Sequence, residues 1–282
     1  MTANLTISAL LSAGAAHLAT SGADAPALDA ELLLAHAVGT RRARLKSHPE
    51  HIPEDAARVR YAELIDRRAR GEPLAYIVGY KDFWTLRLAV TPAVLVPRPE
   101  TELLDERALA LKPEGPARAL DLGTGSGAIA LALASERPQW QVTATDLSAE
   151  ALTVARANAA SHALTHVEFV NGDWFAPLGE RRFDLIVSNP PYIGAREPEL
   201  AAATLGFEPR GALSPGEDAL ASLRAIVRAA PPHLEHGGWL LLEHGAAQAA
   251  DVARELVVRG FRHVRSHRDL AGHERMTEAQ WG

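Results

Sequence analysis

"ARALDLGTGSGAIALALASE", Ala117 to Glu136, joins an apolar strand-like run to an alanine- and leucine-rich helical run through a glycine-rich turn. Gly123, Gly125 and Gly127 permit a tight turn and let a ligand approach bare backbone, as expected where a strand feeds a helix. Downstream the alternation repeats. Strand-like runs "QVTATD", "VEFVNGD", "FDLIVSN" and "GWLLLEHG" are interleaved with helical runs "AEALTVARANAAS", "DALASLRAIVRAAPPHL" and "AAQAADVARELVVRG", before a closing pair, "FRHVRSHR" and "RMTEAQW". This rhythm predicts an α/β fold with a mostly parallel sheet covered on both faces by helices, which binds ligands at the carboxyl ends of its strands.

Upstream the periodicity differs. From Thr6 to about Gly71, Leu10, Leu11, Leu18, Leu28, Leu32, Leu33 and Leu34 recur near the spacing of one buried helical face. Ser21 to Pro26 breaks the first helix, and a later helix begins at Pro53, turns Tyr61, Leu64 and Ile65 inward, and ends before Gly71. The arginines of "RRARLK" and "DRRARG" read as a solvated face. Between Tyr76 and Pro97 the short pieces "YIVGY", "FWTLRLAV" and "AVLVP" read as a β-hairpin connector at a domain boundary.

Composition narrows the function classes. No apolar run approaches the ~20 residues that span a bilayer, and the N-terminus lacks a basic signal-peptide region, so a cytoplasmic location away from membranes is expected. The absence of cysteine excludes disulfides, thiolate metal sites and cysteine nucleophiles. A net charge of −6 speaks against broad nucleic-acid binding. The 12 histidines lack a repeated ligand spacing, so no metal site and no catalytic histidine are assigned.

The chemistry concentrates at four strand ends. Gly123, Thr124, Gly125, Ser126 and Gly127 form the first, a cradle that also fits a dinucleotide fingerprint through Gly123, Gly125 and Ala128. Asp146, nineteen residues beyond Gly127, ends the second strand, where its carboxylate can accept both hydroxyls of a ribose. Asp173 and Trp174 follow the third, an acid for an adenine amine and a ring for the base, although "NGD" is also a good turn sequence. The loop carries no basic residue for a pyrophosphate, whereas helix N-terminal amides suffice for an amino-acid carboxylate; that favours S-adenosylmethionine over NAD. The fourth strand ends in Asn189, Pro190, Pro191 and Tyr192. The prolines fix the backbone and remove its donors, leaving the Pro190 carbonyl and the Asn189 side-chain oxygen as acceptors for a planar NH₂ group beside a methyl sulfonium. Tyr192 can cover the flat group or the sulfonium charge.

"NPPY" after a strand, together with "DLGTGSG", "TD" and "NGDW", resembles the class I methyltransferases that modify planar nitrogen. With "PLAYIVGYKDFW", "LVPRPETE" and "FEPRGALSPGEDAL", nearly the whole chain resembles the peptide chain release factor glutamine methyltransferases, the PrmC/HemK family. The resemblance implies a Rossmann-like methyltransferase domain with a mostly parallel seven-stranded sheet over 98–282, preceded by a helical substrate-recognition domain over 1–75 and a β-hairpin linker over 76–97. It implies methyl transfer from S-adenosylmethionine, leaving S-adenosylhomocysteine, to the glutamine amide in the Gly-Gly-Gln loop of class 1 release factors, with no direct nucleic-acid requirement. It assigns Gly123 to Gly127 to the methionine end, Asp146 to the ribose, Asp173 and Trp174 to the adenine, and Asn189 to Tyr192 to the glutamine, with Asn189 also beside the cofactor. Arg98, Glu100 and Thr101 resemble a segment near the active site; a clasp between domains is the alternative. A ribosomal-protein glutamine methyltransferase, an adenine methyltransferase of nucleic acid, a non-catalytic binding protein and an NAD oxidoreductase are the competing readings.

Overall fold

Leucine spacing drives the N-terminal helices. In the computed structural model, which describes residues 5–112, 115–201 and 204–282, helix α1 (Ile7–Thr20) starts at Thr6, whose side chain accepts the Ala9 N–H at 3.3 Å. Helix α2 (Pro26–Val38) opens on a proline and stops at Gly39 in the left-handed region, and α3 (Arg42–Ser47) and α4 (Asp55–Ala69) follow. Their core holds Leu10, Leu18, Leu33, Leu34, Leu45, Tyr61, Leu64 and Ile65. Leu28, expected in that face, is instead exposed, because one residue on Asp29 turns inward to pair with Arg68 at 2.8 Å. Gly14 lets α1 approach α4: a Cβ there would lie 2.0 Å from the Tyr61 hydroxyl. Residues 1–4 of the expected helical domain lie outside the described residues.

"YIVGY" is not a strand. Pro73 precedes a short helix, α5 (Leu74–Val78), and Gly79 ends it at φ 86°. The hairpin follows as β1 (Tyr80–Phe83) and β2 (Leu86–Ala89), paired antiparallel with Phe83 opposite Leu86. "AVLVP" is not a strand either: Pro92 and Pro97 bracket it without donors, and the Val96 N–H goes to the Glu208 carboxylate at 3.0 Å rather than to a ladder. The chain divides into two units, Met1–Gly79 with Ala203–Phe207 and Tyr80–Ala202 with Glu208–Gly282.

In the second unit a 3₁₀ turn, Pro99–Thr101, leads into α6 (Glu102–Leu111). Then come β3 (Arg118–Leu122), α7 (Ala128–Glu136), β4 (Gln141–Asp146), α8 (Ala149–Ser161), β5 (Glu168–Asn171) and β6 (Phe183–Ser188). They are followed by α9 (Arg210–Leu213), α10 (Ala221–Ala229), β7 (Leu234–Glu243), α11 (Ala249–Arg259), β8 (Arg262–Arg268) and β9 (Glu274–Gln280). Helix α10 ends before Pro231, shorter than the expected run through "PPHL", because proline cannot continue the hydrogen-bond ladder.

The seven strands lie in the order β5-β4-β3-β6-β7-β9-β8. β3 to β7 run parallel, and β9 is antiparallel to β7 and β8, so the closing pair forms the one antiparallel edge. Inward residues alternate between two cores: Ala119, Leu185, Val187 and Leu241 face α6 and α7, whereas Leu120, Ile186, Leu240 and Leu242 face α10 and α11. The connection reverses direction between β3 and β6, the switch point where such sheets open a crevice.

Candidate functional site

The crevice begins with the glycine loop. Gly123, Gly125 and Gly127 adopt φ of 72°, 56° and 87°, a region costly for residues with a Cβ. The Gly123 and Thr124 N–H groups donate to the Thr145 carbonyl at 2.9 and 3.0 Å, stitching the loop to the end of β4. Asp146 then accepts one backbone N–H on each oxygen, Gly125 at 2.8 Å and Ser148 at 2.8 Å. Each oxygen retains acceptor capacity, which suits a pair of vicinal hydroxyls. Burial raises its pKa, and the Ser148 and Gly125 hydrogen bonds oppose the rise.

The β5 end builds the opposite wall. Asn171 Nδ2 donates to the Asp146 and Leu147 carbonyls at 2.9 and 3.0 Å, fixing this tip against the β4 tip. Trp174 turns into the left-handed region at φ 43°, a conformation uncommon for a bulky residue. Its ring lies over Gly123, where an added Cβ would stand 3.3 Å from Cζ3. Gly123, Gly125, Asp146, Asp173, Trp174, Asn189 and Pro191 line one cavity of about 360 Å³. That volume lies in the range of small-molecule sites, roughly 300–1,000 Å³. Leu147, missed by the sequence reading, lines the same cavity and is 73% exposed, an apolar surface suited to a flat base.

The side chains of several expected residues pack into the frame of the site. Thr124 and Ser126 are buried, and Gly127 packs so tightly that a Cβ would meet Leu131 Cδ1 at 3.1 Å and Ala155 Cβ at 3.3 Å. Asn158 of α8 donates to the Ser126 carbonyl at 2.9 Å and also accepts from Ala89 N at 2.7 Å, tying the glycine loop to the hairpin. Pro190 is buried, and Tyr192 packs against the α10–α11 core with its hydroxyl donating to Glu243 Oε1 at 3.2 Å. Gln248 Nε2 donates to the Tyr192 carbonyl at 2.9 Å, which holds this turn in place.

Asn189 stands at the β6 tip beside Glu243, since Ser188 is in register with Leu242. Its Nδ2 donates to Thr101 Oγ1 at 3.1 Å. Thr101 is buried and its hydroxyl faces the Glu243 carboxyl. Burial pushes Glu243 up to about 7, while the hydroxyls of Thr101 and Tyr192 and the charge of Arg275 hold it down. Burial also pushes the Tyr192 phenol up. Arg98 and the Val96 N–H both bind the buried Glu208, joining the segment before α6 to the one that opens α9. Pro92 to Leu95 and Pro209 with Gly211 and Ala212 from those two segments line the cavity.

A second buried acid underlies the glycine loop. Asp121 Oδ2 accepts from Thr124 Oγ1 at 2.6 Å and from Ala130 N at 3.2 Å, and Oδ1 has no partner among the described residues. Burial pushes Asp121 up to about 7. Neighbouring Asp105 of α6 is fully buried with neither oxygen partnered among the described residues, and burial followed by the Asp121 charge raises it well above the carboxylate range.

Two family models match, the PrmC N-terminal domain over residues 9–79 and the methyltransferase small domain over 101–208. The chain is 46% identical over 279 residues to a release factor glutamine methyltransferase of Vibrio cholerae, covering 99% of this chain and 98% of the relative. It is 51% identical over 254 residues to one of Pseudomonas aeruginosa, covering 90% and 92%. Among solved structures, the hMettl16 catalytic domain in complex with MAT2A 3'UTR hairpin 6 superposes with a TM-score of 0.59 at 17% identity, covering 78% of this chain and 82% of that one. The T. thermophilus rRNA methyltransferase RsmC, in complex with AdoMet and guanosine, gives 0.54 at 21%, covering 72% and 50%. These two share the fold.

Proposed function

We propose, from the premise that this chain belongs to the release factor glutamine methyltransferase family, that the cavity at the β3–β6 switch point is where it methylates a release factor glutamine. The acceptor is the side-chain amide nitrogen of the glutamine in a Gly-Gly-Gln loop. The observation that carries this reading is that Asn189 lines the same cavity as Gly123, Gly125 and Asp146.

When bound, S-adenosylmethionine supplies an electrophilic methyl group on a sulfonium, and S-adenosylhomocysteine is the product. Backbone amides of the glycine loop hold its amino-acid end, Asp146 its ribose hydroxyls, and Asp173 with Trp174 its adenine. The Trp174 ring packs directly against Gly123, where an added Cβ would stand 3.3 Å from Cζ3. An amide nitrogen is a poor nucleophile because its lone pair is delocalised. Asn189 Oδ1 and the Pro190 carbonyl accept the two amide hydrogens, which fixes the nitrogen's plane and direction. Pro191 and the walls of the cavity exclude water from that nitrogen. No strong base is required, since the nitrogen grows acidic as it gains the methyl; the proton it sheds passes to the Asn189 Oδ1 or Pro190 carbonyl oxygen that already holds it and on to solvent as the products leave.

No helix among the described residues is long and apolar enough to cross a membrane. A partner from the translation machinery makes the cytoplasm the site of action, with the protein loop alone, rather than nucleic acid, supplying the acceptor. The test is intact-mass analysis of a class 1 release factor and its Gly-Gly-Ala variant after incubation with enzyme and S-adenosylmethionine. One added methyl on the former and none on the latter is expected. Methylation of both, or of neither, overturns the reading.

A further inference from the structure

We infer that Thr101 and Glu243 are positioning residues that decide which end of the Asn189 side-chain amide faces the cavity. The inference rests on Asn189 being the receptor for the glutamine amide. The two ends of an asparagine amide are nearly the same shape, yet one accepts hydrogens and the other donates them. To grip an NH₂ group, Asn189 must present Oδ1. Backbone position does not make that choice, because rotating the amide by half a turn exchanges its ends.

The choice is made by the partner behind it. Asn189 Nδ2 donates to Thr101 Oγ1 at 3.1 Å, so the threonine oxygen is occupied as an acceptor. Its single hydrogen is then free to point at an acceptor of its own, and it faces the Glu243 carboxyl, whose buried Oε2 has no other partner among the described residues. Tyr192 contributes a second hydroxyl to the same carboxyl, on Oε1 at 3.2 Å. With Glu243 ionised, both hydroxyls of this relay turn their hydrogens to it, and Asn189 Nδ2 stays on Thr101 with Oδ1 at the other end of the amide. Were the carboxyl to carry a proton, the relay would reverse: Glu243 would donate to Thr101, Thr101 to Asn189 Oδ1, and the amide NH₂ would be left facing the glutamine NH₂. Two donors would oppose each other in a site that excludes water, a costly arrangement.

The surroundings of Glu243 bear on that balance from each neighbouring element. The Asn189–Tyr192 segment supplies the Tyr192 hydroxyl, the 3₁₀ turn supplies the Thr101 hydroxyl and the opposing charge of Glu100, and β9 supplies Arg275. Glu243 is paired across β9 with apolar Met276. His244, the next residue, is turned to the Gly245 carbonyl and Thr277 Oγ1 at 3.0 and 2.8 Å.

The test measures methylation of a release factor at saturating cofactor by the full-length wild type, Thr101→Val, Thr101→Ser, Glu243→Gln, Asn189→Ala and the Thr101→Val/Asn189→Ala double variant, with S-adenosylhomocysteine affinity and melting temperature measured for each. Thr101→Val is expected to lower kcat about 10- to 100-fold with cofactor affinity unchanged, as a misaligned reacting group does. Thr101→Ser, which keeps the hydroxyl, should stay within about threefold of wild type, and the double variant should be no slower than Asn189→Ala alone. Wild-type kcat should fall as pH drops through about 7, and Glu243→Gln should lose that acid limb. Wild-type turnover by Thr101→Val, a double variant slower than Asn189→Ala by the full Thr101→Val factor, or an acid limb that persists in Glu243→Gln overturns the inference. Should Thr101→Val fail to fold, a Thr101→Ser variant with wild-type melting but a loss of kcat of about tenfold or more does the same. Failure of the wild type to methylate the release factor is a separate outcome that overturns the proposed function instead.

Discussion

Replacing Asp121 by asparagine should make the sheet unit less sensitive to alkaline pH. Asp121 is 1% exposed, and burial lifts its carboxyl from 3.8 to about 7. A carboxyl whose folded pKa lies above its unfolded value contributes its full stability below the unfolded value and loses it as pH rises through the folded one. Each tenfold change in proton affinity is about 1.36 kcal/mol, so the whole loss is about 4 kcal/mol, most of it already incurred below pH 6. Between about pH 6 and 8.5 the remaining loss integrates to about 1.4 kcal/mol. Asparagine keeps an oxygen for Thr124 and the Ala130 N–H, and its NH₂ takes the place of the unpartnered Oδ1 near Asp105. The stability difference between Asp121→Asn and wild type should therefore grow in the variant's favour by about 1.4 kcal/mol across that range. Glu243, also pushed up to about 7, titrates in both proteins and cancels in the difference. All 5 tryptophans lie beyond Gly79, so urea unfolding followed by tryptophan fluorescence reports on the sheet unit alone. A difference that stays flat from pH 6 to 8.5 refutes the reasoning.

At about 100 times its dissociation constant, S-adenosylmethionine should stabilise the native state by roughly 2.7 kcal/mol in thermal melting, and NADH should not. Gly123→Ala places a Cβ 3.3 Å from the Trp174 ring at a φ of 72°, displacing the ring and straining the loop, so calorimetry should show cofactor affinity falling by about tenfold or more; unchanged affinity would remove the Gly123–Trp174 contact from the binding site. Asn158→Ala strips the Ala89 N–H of its 2.7 Å acceptor and the Ser126 carbonyl of its donor. The expected cost is roughly 2–4 kcal/mol, visible as a melting temperature lower by roughly 5–10 °C, whereas a wild-type melt would show that water replaces those bonds freely.

The sheet and its strand ends were legible because glycine, proline and alternating apolar runs constrain the backbone locally. The hairpin was legible for the same reason. Its flanks were not: "YIVGY" carries β-branched residues, yet Pro73 and Gly79 define a helical turn, and "AVLVP" loses its ladder because Glu208, more than a hundred residues away, takes the Val96 N–H. Buried acids were the larger omission. Asp105 looks like the polar face of α6 in the sequence, and only the three-dimensional packing puts it at 0% exposure beside Asp121. Glu243 was equally hidden, since Thr101 and the Asn189–Tyr192 segment reach it from separate parts of the chain.

The reversal between β3 and β6 has a consequence for how such a protein can diversify. Tips β3, β4 and β5 are encoded by one continuous stretch of chain, and tips β6 and β7 by a later one. On the proposed assignment of the tips, drift in the later stretch can therefore alter what becomes modified while the earlier stretch keeps its small-molecule partner, so new targets are open to a lineage without rebuilding the cofactor half.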